Sequence, residues 1–483
     1  MSATDVFVFR HCVRSTSITI KNAAEGHTHA ADYSAVPLPQ WGVPENWCTP
    51  GGLSILRNSA AQLLQDAELT NPKLIADTVM RDHDSAVAFM RGLGLAQASV
   101  QLAPGLFDPE DPDIGPVPPC AAAANYTDAE VHAQVSERLA SLPRPGSLAD
   151  DLALAESLVG AGAAPLTSLA EPSVLPTGKL AGAPNALKRV AQQIVYAFAS
   201  GVPYPLLNGR NATADEMHRL LAWQHWARAV KDVHVGKAVE NAALLRSVLD
   251  ELDGTAPPTI ATGNGVGVGN ATRGAVYFGH DGNLDGLATL LGLEWEAPPY
   301  VSMGGRLTPT PPGSALRFTR RTAADGAREE VRVSFVYPVF TAGDTPPGGG
   351  SVGAGGEGGE GGGGGGGGAR RDASGALRTT PILTGLTMAQ LRARAEEGLV
   401  RYPAARACFD AAAAVPLPSA DDAAGAAVRS CASDEGGWVA FVVLLLLFVA
   451  VGLLVARRWW CSTECRANAK ETLDQRKWRR RFY

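Results

Sequence analysis

Two short apolar segments, each followed at once by ionisable residues, constrain the fold of this chain most strongly. Residues 6–9 (VFVF) end at an Arg-His pair, and residues 275–278 (AVYF) end at Gly-His-Asp. Continuous apolar runs of this length are typical of buried strands in parallel sheets. Because ligands gather at the carboxyl ends of such strands, we expect an α/β sheet with its functional site there.

The remaining hydrophobic pattern predicts helices on either side of these strands and a second pair of strands. Helical periodicity covers residues 50–67, 84–93, 128–252 and 283–291. The long stretch predicts an inserted helical lobe at about 120–260, since Leu187, Val190 and Ile194 form one apolar stripe with Phe198. Segments 317–319 and 331–340 predict paired strands. We therefore expect a two-lobed α/β fold with a mostly parallel sheet and flanking helices.

The charge distribution argues against nucleic acid as a partner. The net charge is −6, but residues 457–483 contain nine Lys/Arg against three Asp/Glu, so the rest of the chain carries −12. A negative main body repels a polyanion. The seven cysteines form no CxxC motif and no HExxH motif is present, so we predict no metal site and no cofactor.

A C-terminal apolar segment predicts attachment to a membrane. Residues 438–456 contain no charge over 19 positions, which is enough for one transmembrane helix. The positive-inside rule then predicts a cytoplasmic basic tail at 457–483, and the domain outside or in a lumen, joined by a stalk at 411–437. Three N-glycosylation sequons fit that side: Asn125, Asn211 and Asn270.

The N-terminus leaves this topology open. MSATDVFVFRH leads directly into a predicted strand and lacks the features of a signal peptide. Either the start is truncated, or the anchor inserts from the C-terminus and leaves the domain in the cytosol. The almost wholly Gly tract at 348–368 cannot pack and predicts a disordered loop.

The sequence RHCVR at residues 10–14 suits phosphate chemistry. Two guanidiniums flank one imidazole, and guanidinium groups match phosphate oxygens in bidentate geometry. Covalent phosphoryl transfer needs a nucleophile, several cations and an acid for the leaving oxygen. On its own the motif is also compatible with a surface turn.

Together with a second segment, this motif resembles a known family. RHCVRST is similar to the RHGxRxP signature of the histidine acid phosphatases, and YFGHDGNLDGLATLLGLEW is similar to their second signature, which ends a strand at Gly-His-Asp. WGVPENWCTPGG, IADTVMRDHDSAVAFMRGL, LFDP, TPPGSALRF and RYPAARAC resemble segments of the bacterial periplasmic phytase and glucose-1-phosphatase branch. The likeness covers about residues 5–408, and the predicted catalytic domain is 1–410.

The resemblance implies roles for individual residues. It makes His11 the residue that becomes phosphorylated and Asp281 the proton donor, with Asp77 in support. The implied phosphate clamp consists of Arg10, Arg14, Arg81 and His280. The resemblance also implies a disulfide between Cys120 and Cys408. The expected function is metal-independent acid hydrolysis of small phosphate monoesters.

The chain departs from the family pattern at three positions. Cys12 replaces the motif glycine, Thr16 the proline, and Gly282 a small hydroxyl residue. If position 12 requires positive φ, cysteine costs about 1–2 kcal/mol there. The stretch 16–18 also lacks the lysine of the phytases, which predicts weak activity on inositol hexakisphosphate.

Two other hypotheses remain open at this point. One is a phytase-type inositol polyphosphate phosphatase. The other is a relative that binds phosphorylated ligands with little turnover. His225 and Trp226 in the helical lobe either line the pocket or pack between helices, and packing is favoured.

Overall fold

A seven-stranded mixed sheet lies at the centre of the fold. Its strands are β1 (Ser2–Arg10), β2 (Lys73–Ala76), β3 (Val100–Leu102), β6 (Ala275–Gly279), β7 (Ala315–Thr322), β8 (Glu329–Pro338) and β9 (Leu377–Leu386). The order across the sheet is β3-β2-β6-β1-β7-β8-β9. A separate two-stranded ladder joins β4 (Ser173–Val174) to β5 (Leu180–Ala181).

The sheet is half parallel rather than mostly parallel. The three pairs β3–β2, β2–β6 and β6–β1 are parallel, and β1–β7, β7–β8 and β8–β9 are antiparallel. The predicted paired strands are β7 and β8. Only six residues, 323–328, connect them, and so short a connection can join only antiparallel neighbours. The α/β prediction is otherwise confirmed.

Ten helices are found within the described residues. They are α1 (Pro50–Asp66), α2 (Met80–Gly92), α3 (Asp128–Ser141), α4 (Leu148–Val159), α5 (Ala183–Ser200), α6 (Ala214–Lys231), α7 (Val235–Asp253), α8 (Asp281–Leu291), α9 (Met388–Arg401) and α10 (Pro403–Ala412). Helices α3 to α7 form the predicted helical insertion between β3 and β6. Helix α8 begins two residues earlier than the periodicity predicts, so Asp281 is its first residue.

The two faces of β1 pack against different sets of helices. Successive side chains of a strand point to opposite faces. Val6 and Val8 belong to the large core that includes the helical insertion, whereas Phe7 and Phe9 belong to the core shared with α1 and α2. Phe9 contacts Phe89 and Phe278, with ring centroids 5.1 and 5.3 Å away. Residues 6–9 are all fully buried. Packing on both faces therefore fixes the position at which β1 ends.

The computed structural model describes part of the chain, all of it within one compact unit, Met1–Leu417. The described residues are 2–16, 30–66, 69, 72–95, 100–103, 106–107, 125–204, 206–207, 209–255, 274–297, 309–323, 329–339 and 377–412. The predicted glycine loop, the tail and almost all of the stalk lie outside them. Asn125 and Asn211 are exposed, and the third sequon lies outside the described residues.

The prediction of a C-terminal transmembrane helix is contradicted, and with it the single-pass membrane localisation. Within the described part of the chain, no helix is both long and apolar enough to cross a bilayer. Helix α7 has 19 residues, but Lys237, Arg246 and Asp250 interrupt its apolar positions. The predicted span, 438–456, lies outside the described residues.

Helix α1 begins in close contact with the loop that follows β1. A Cβ atom on Gly52 would lie 2.1 Å from the carbonyl oxygen of Val13. That oxygen accepts hydrogen bonds from the backbone N–H and the hydroxyl of Thr49, at 3.0 and 3.1 Å. Only glycine therefore permits this approach.

We expect Gly52→Ala to destabilise the fold by about 1–3 kcal/mol, because the methyl group forces the loop and the helix apart. Urea unfolding measures the change. Asn58→Ala, on the same helix, is the control and should have a smaller effect. Equal effects of the two substitutions would contradict the close-contact explanation.

Candidate active site

The site forms where three parallel strands end side by side. The backbone N–H of His11 donates to the carbonyl of Gly279 at 2.8 Å, and that of Asp77 donates to Phe278 at 3.0 Å. These bonds continue the β1–β6 and β2–β6 ladders by one residue. His11, Asp77 and His280, each directly after its strand, therefore lie at one edge of the sheet.

The His11 side chain is buried and held in one tautomer. Its Nδ1 lies 2.8 Å from the carbonyl oxygen of Cys12, which can only accept a hydrogen bond. Nδ1 therefore carries the proton, and Nε2 keeps its lone pair in the neutral ring. Burial lowers the pKa of His11 well below its usual range, and the nearby Arg81 and Arg10 cations lower it further. The ring is thus neutral, with a free lone pair on Nε2.

Arg10 and Arg14, predicted to bind phosphate, are fixed by different contacts. Arg10 is buried and donates to the hydroxyl of Tyr196 at 2.8 Å and to the carbonyl of Thr310. Arg14 donates to the side-chain oxygen of Asn46 at 2.9 Å. Burial lowers the pKa of Arg14 to about 10, so it remains a cation under acidic and neutral conditions.

Arg81 and His280 lie beside His11 and beside each other. An Arg81 guanidinium nitrogen is 3.2 Å from His280 Nδ1, and the rings of His280 and His11 meet edge to face at 5.6 Å. His280 Nε2 is 3.0 Å from Asp77 Oδ2. Asp77 therefore orients the His280 ring from its Nε2 side.

Asp82 completes this group, and sequence reasoning missed it. Its carboxylate is fully buried and lies 3.6 Å from His280 Nε2. Burial raises the pKa of Asp82 to about 6. Burial opposes the charge on His280, but the Asp82 charge and the Asp77 hydrogen bond outweigh it and raise the pKa of His280. The proton that the raised pKa favours lies on Nε2, between the two carboxylates, because the Arg81 guanidinium can only donate toward Nδ1.

Among the described residues, Asp77, Asp82 and His280 are also the group with the spacing of a cation site. Their potential ligand atoms lie within 4.8 Å of one another. A metal needs a lone pair on the histidine nitrogen that faces it. Because Arg81 can only donate to Nδ1, the ring proton lies on Nε2 between the two carboxylates, and this group is better suited to holding a proton than a metal.

Asp281 lies between two buried guanidiniums. Its Oδ2 is 3.4 Å from Arg10 and 3.5 Å from Arg228. Burial raises the pKa of Asp281, but Arg10 and Arg228 outweigh burial and hold it well below its usual range. Arg228 also bonds Asp285, one turn further along α8. Asp281 is thus ionised until another anion competes for these cations.

Sequence reasoning also missed Arg228, although a signal was present. It lies in the helical stretch WQHWARAV, which has no other residue that is always charged, and a buried charge there requires a partner. Its neighbours His225 and Trp226 are buried between helices, and Trp226 contacts Trp223 with ring centroids at 5.4 Å. The packing role favoured for these two residues fits their burial.

Cysteine at position 12 has a structural use rather than a strain cost. Asn46 is the only non-glycine residue with positive φ in the described chain, so Cys12 does not need a glycine conformation. Cys12 instead forms a disulfide with Cys48, which ties the His11 loop to the segment before α1. Cys408 is also disulfide-bonded. Cys120, its predicted partner, lies outside the described residues.

No protein-family model and no curated protein matches the chain by sequence. Solved structures do match. The phytase of Klebsiella sp. ASR1 has 18% identity and a TM-score of 0.59, over 83% of this chain and 96% of that one. The apo phytase of Hafnia alvei has 17% identity and a TM-score of 0.58, over 83% and 97%. The phytase of Citrobacter braakii has 21% identity and a TM-score of 0.53, over 70% and 85%.

The chain has the histidine acid phosphatase fold. The resemblance drawn from the two sequence signatures is thereby confirmed at the level of fold. This fold brings together His11, Asp281, Arg10, Arg14, Arg81, His280 and Asp77. Their roles are a separate matter, because identities of 17–21% establish the fold alone.

The raised pKa of His280 leads to a prediction about Asp77. Asp77→Asn removes the hydrogen-bonded charge that favours imidazolium, so His280 should lose its proton at a lower pH than in the wild type. An NMR titration of the histidine ring signals measures this shift. Asp84→Asn, which removes a carboxylate from the nearby helix α2, should change the titration less. An unchanged His280 titration in Asp77→Asn would rule out this role.

Proposed function

We propose that this protein is a metal-independent acid phosphatase that hydrolyses phosphate monoesters through a phosphohistidine at His11. The similar phytase structures support a phosphoric monoester hydrolase in general. The observation that carries the finer proposal is the state of His11. It is a neutral, buried imidazole with a fixed tautomer, and the cations around it disfavour its protonation.

In the first step, the Nε2 lone pair of His11 attacks phosphorus. The bond from phosphorus to the ester oxygen breaks as the new nitrogen–phosphorus bond forms. Arg10, Arg14 and Arg81 balance the charge on the phosphoryl oxygens, which is the positive charge that a metal supplies in other phosphatases. Asp281 gives its proton to the departing oxygen, so an alcohol leaves.

In the second step, water attacks the phosphorus of the phosphohistidine. Asp281, now a carboxylate, accepts the proton of the water, and the nitrogen–phosphorus electron pair returns to His11. Free phosphate leaves, and both residues regain their starting states. The same carboxyl therefore serves first as acid and then as base.

Asp281 needs its proton at the start of the cycle, although Arg10 and Arg228 favour its ionised form. A bound phosphate adds negative charge and shares Arg10, so it raises the pKa of Asp281 in the complex. The acid form is still favoured by low pH. We therefore propose an acidic pH range for turnover, with activity falling as the pH rises and Asp281 loses its proton.

We expect His11→Ala to abolish turnover, whereas Asp281→Asn should slow alkyl phosphates far more than aryl phosphates. A poor alkoxide leaving group needs a proton, and a good phenolate does not. Steady-state kinetics on a matched pair, such as glycerol phosphate and p-nitrophenyl phosphate, measures the difference. Equal losses on both substrates would remove Asp281 from the acid role.

The intermediate provides an independent test. A phosphohistidine is a phosphoramidate, so the protein should retain labelled phosphate after base treatment and lose it in acid. Mass spectrometry should place the label on the peptide that contains His11. A label stable to acid and found on a serine would overturn the mechanism. Binding of phosphate esters without release of phosphate would instead indicate a relative that binds without turnover.

A further inference from the structure

The backbone of Cys12, which sets the tautomer of His11, is held differently from the backbone of its neighbours. The N–H of His11 donates to Gly279 at 2.8 Å, and the carbonyl of Val13 accepts from the N–H of Thr49 at 3.0 Å. Neither backbone group of Cys12 bonds to another backbone group among the described residues. Its carbonyl oxygen nevertheless lies 2.8 Å from His11 Nδ1. The position of this oxygen therefore depends on side chains.

Two side-chain contacts hold Cys12. One is the disulfide to Cys48. The other runs through Ser85, whose hydroxyl accepts from the Cys12 N–H at 2.9 Å and donates to the carbonyl of Arg81 at 2.6 Å. A hydroxyl has a single hydrogen, so these two bonds use it fully in one direction. The two cysteines and Ser85 are buried, so solvent does not compete for either contact.

The same cross-link reaches two of the cations predicted to bind phosphate. Cys48 Sγ lies 3.3 Å from the carbonyl oxygen of Arg81, in the first turn of α2. The backbone of Cys48 also forms an antiparallel bridge with Arg14, whose guanidinium donates to the side-chain oxygen of Asn46 at 2.9 Å. One covalent bond thus joins the loop of His11 to the segment that holds Arg14 and to the helix that begins at Arg81.

The cross-link is a property of this chain rather than of the family signature. Position 12 is a glycine in that signature, and a glycine has no side chain to cross-link. Rotation of the peptide unit between Cys12 and Val13 would turn the Cys12 carbonyl away from His11 Nδ1. The disulfide fixes the Cβ of Cys12 and the Ser85 hydroxyl fixes its N–H, so the two contacts together oppose this rotation.

We propose that the Cys12–Cys48 disulfide positions His11 for its attack on phosphorus, by keeping the Cys12 carbonyl against Nδ1 and the His11 loop against Arg81. The inference rests on the proposed function. In the other neutral tautomer the proton lies on Nε2, which then has no lone pair for phosphorus. A misplacement of about 1 Å can also cost about 100-fold in rate. Loss of the disulfide should therefore lower kcat more than it raises KM.

The test removes the disulfide from the full chain with Cys12→Ala/Cys48→Ala. On p-nitrophenyl phosphate, whose leaving group needs no proton, we expect kcat to fall at least about tenfold and KM to change by about threefold or less. Nitrogen NMR of the histidine rings provides a second readout. The His11 signal, identified by its absence in His11→Ala, should show one tautomer in the wild type and a mixture in the double variant.

A matched control removes a different disulfide. Cys408 is disulfide-bonded in α10, a helix that contributes no residue to the candidate site. Cys408→Ala should lower the Tm but keep the wild-type kcat and the wild-type His11 signal below that temperature. An unchanged kcat in Cys12→Ala/Cys48→Ala, with the Nδ1 proton retained, would overturn the positioning role and leave the disulfide as a stabilising link alone.

Reversible reduction tests the same role without depending on the folding of the double variant. In the Cys408→Ala chain, Cys12–Cys48 is the remaining disulfide between described residues. A dithiol reductant gives it two electrons, so the S–S bond breaks, each sulfur gains a proton and the reductant closes to its own disulfide. Reductant is added until alkylation and mass spectrometry show both thiols.

We expect kcat to fall on this reduction and to recover on reoxidation. Unchanged turnover with both thiols present would contradict the proposal. A wild-type chain that hydrolyses no phosphate monoester would overturn the proposed function instead, and the His11 signal would still decide whether the disulfide fixes the ring.

Discussion

Five residue pairs between β1 and β6, from Val6 and Ala275 to Arg10 and Gly279, align the two strand ends on which the site depends. They place His11 beside His280 and Asp281, although 270 residues separate His11 from Asp281 in the sequence. A slip of one residue would turn every side chain of β1 to the other face. Burial of residues 6–9 on both faces opposes that slip, so core packing determines the geometry of the candidate site.

Several cationic side chains surround the site, and they act on two different ionisable groups, His11 and Asp281. Burial, with the nearby guanidiniums and His280, lowers the pKa of His11 and keeps the imidazole neutral, which preserves its lone pair. Near Asp281, Arg10 and Arg228 outweigh burial, lower the pKa of the carboxyl and keep it ionised. A phosphate bound between these groups would offset the excess positive charge around both His11 and Asp281.

The sequence predicted the parts of the site that follow a strand directly. His11 and His280–Asp281 come right after apolar runs, so chain order alone placed them at strand ends. Asp82 was missed because a charge on a helix such as α2 is ordinarily solvated, and Arg228 was missed because its carboxylate partners come from a remote segment. The disulfide of Cys12 was missed because the packing of α1, rather than any sequence motif, brings Cys48 close to it.

The sequence by itself determined which segments become buried strands and helices, since apolar periodicity is a local property. It also determined the chemical groups available after each strand, and two spaced signatures sufficed to indicate the fold. The tertiary structure decided the half-antiparallel sheet, the partners of Asp281 and the disulfide between Cys12 and Cys48. Each of these depends on distances between segments remote in the chain, and electrostatic energies depend on such distances and on burial. A linear pattern contains neither quantity.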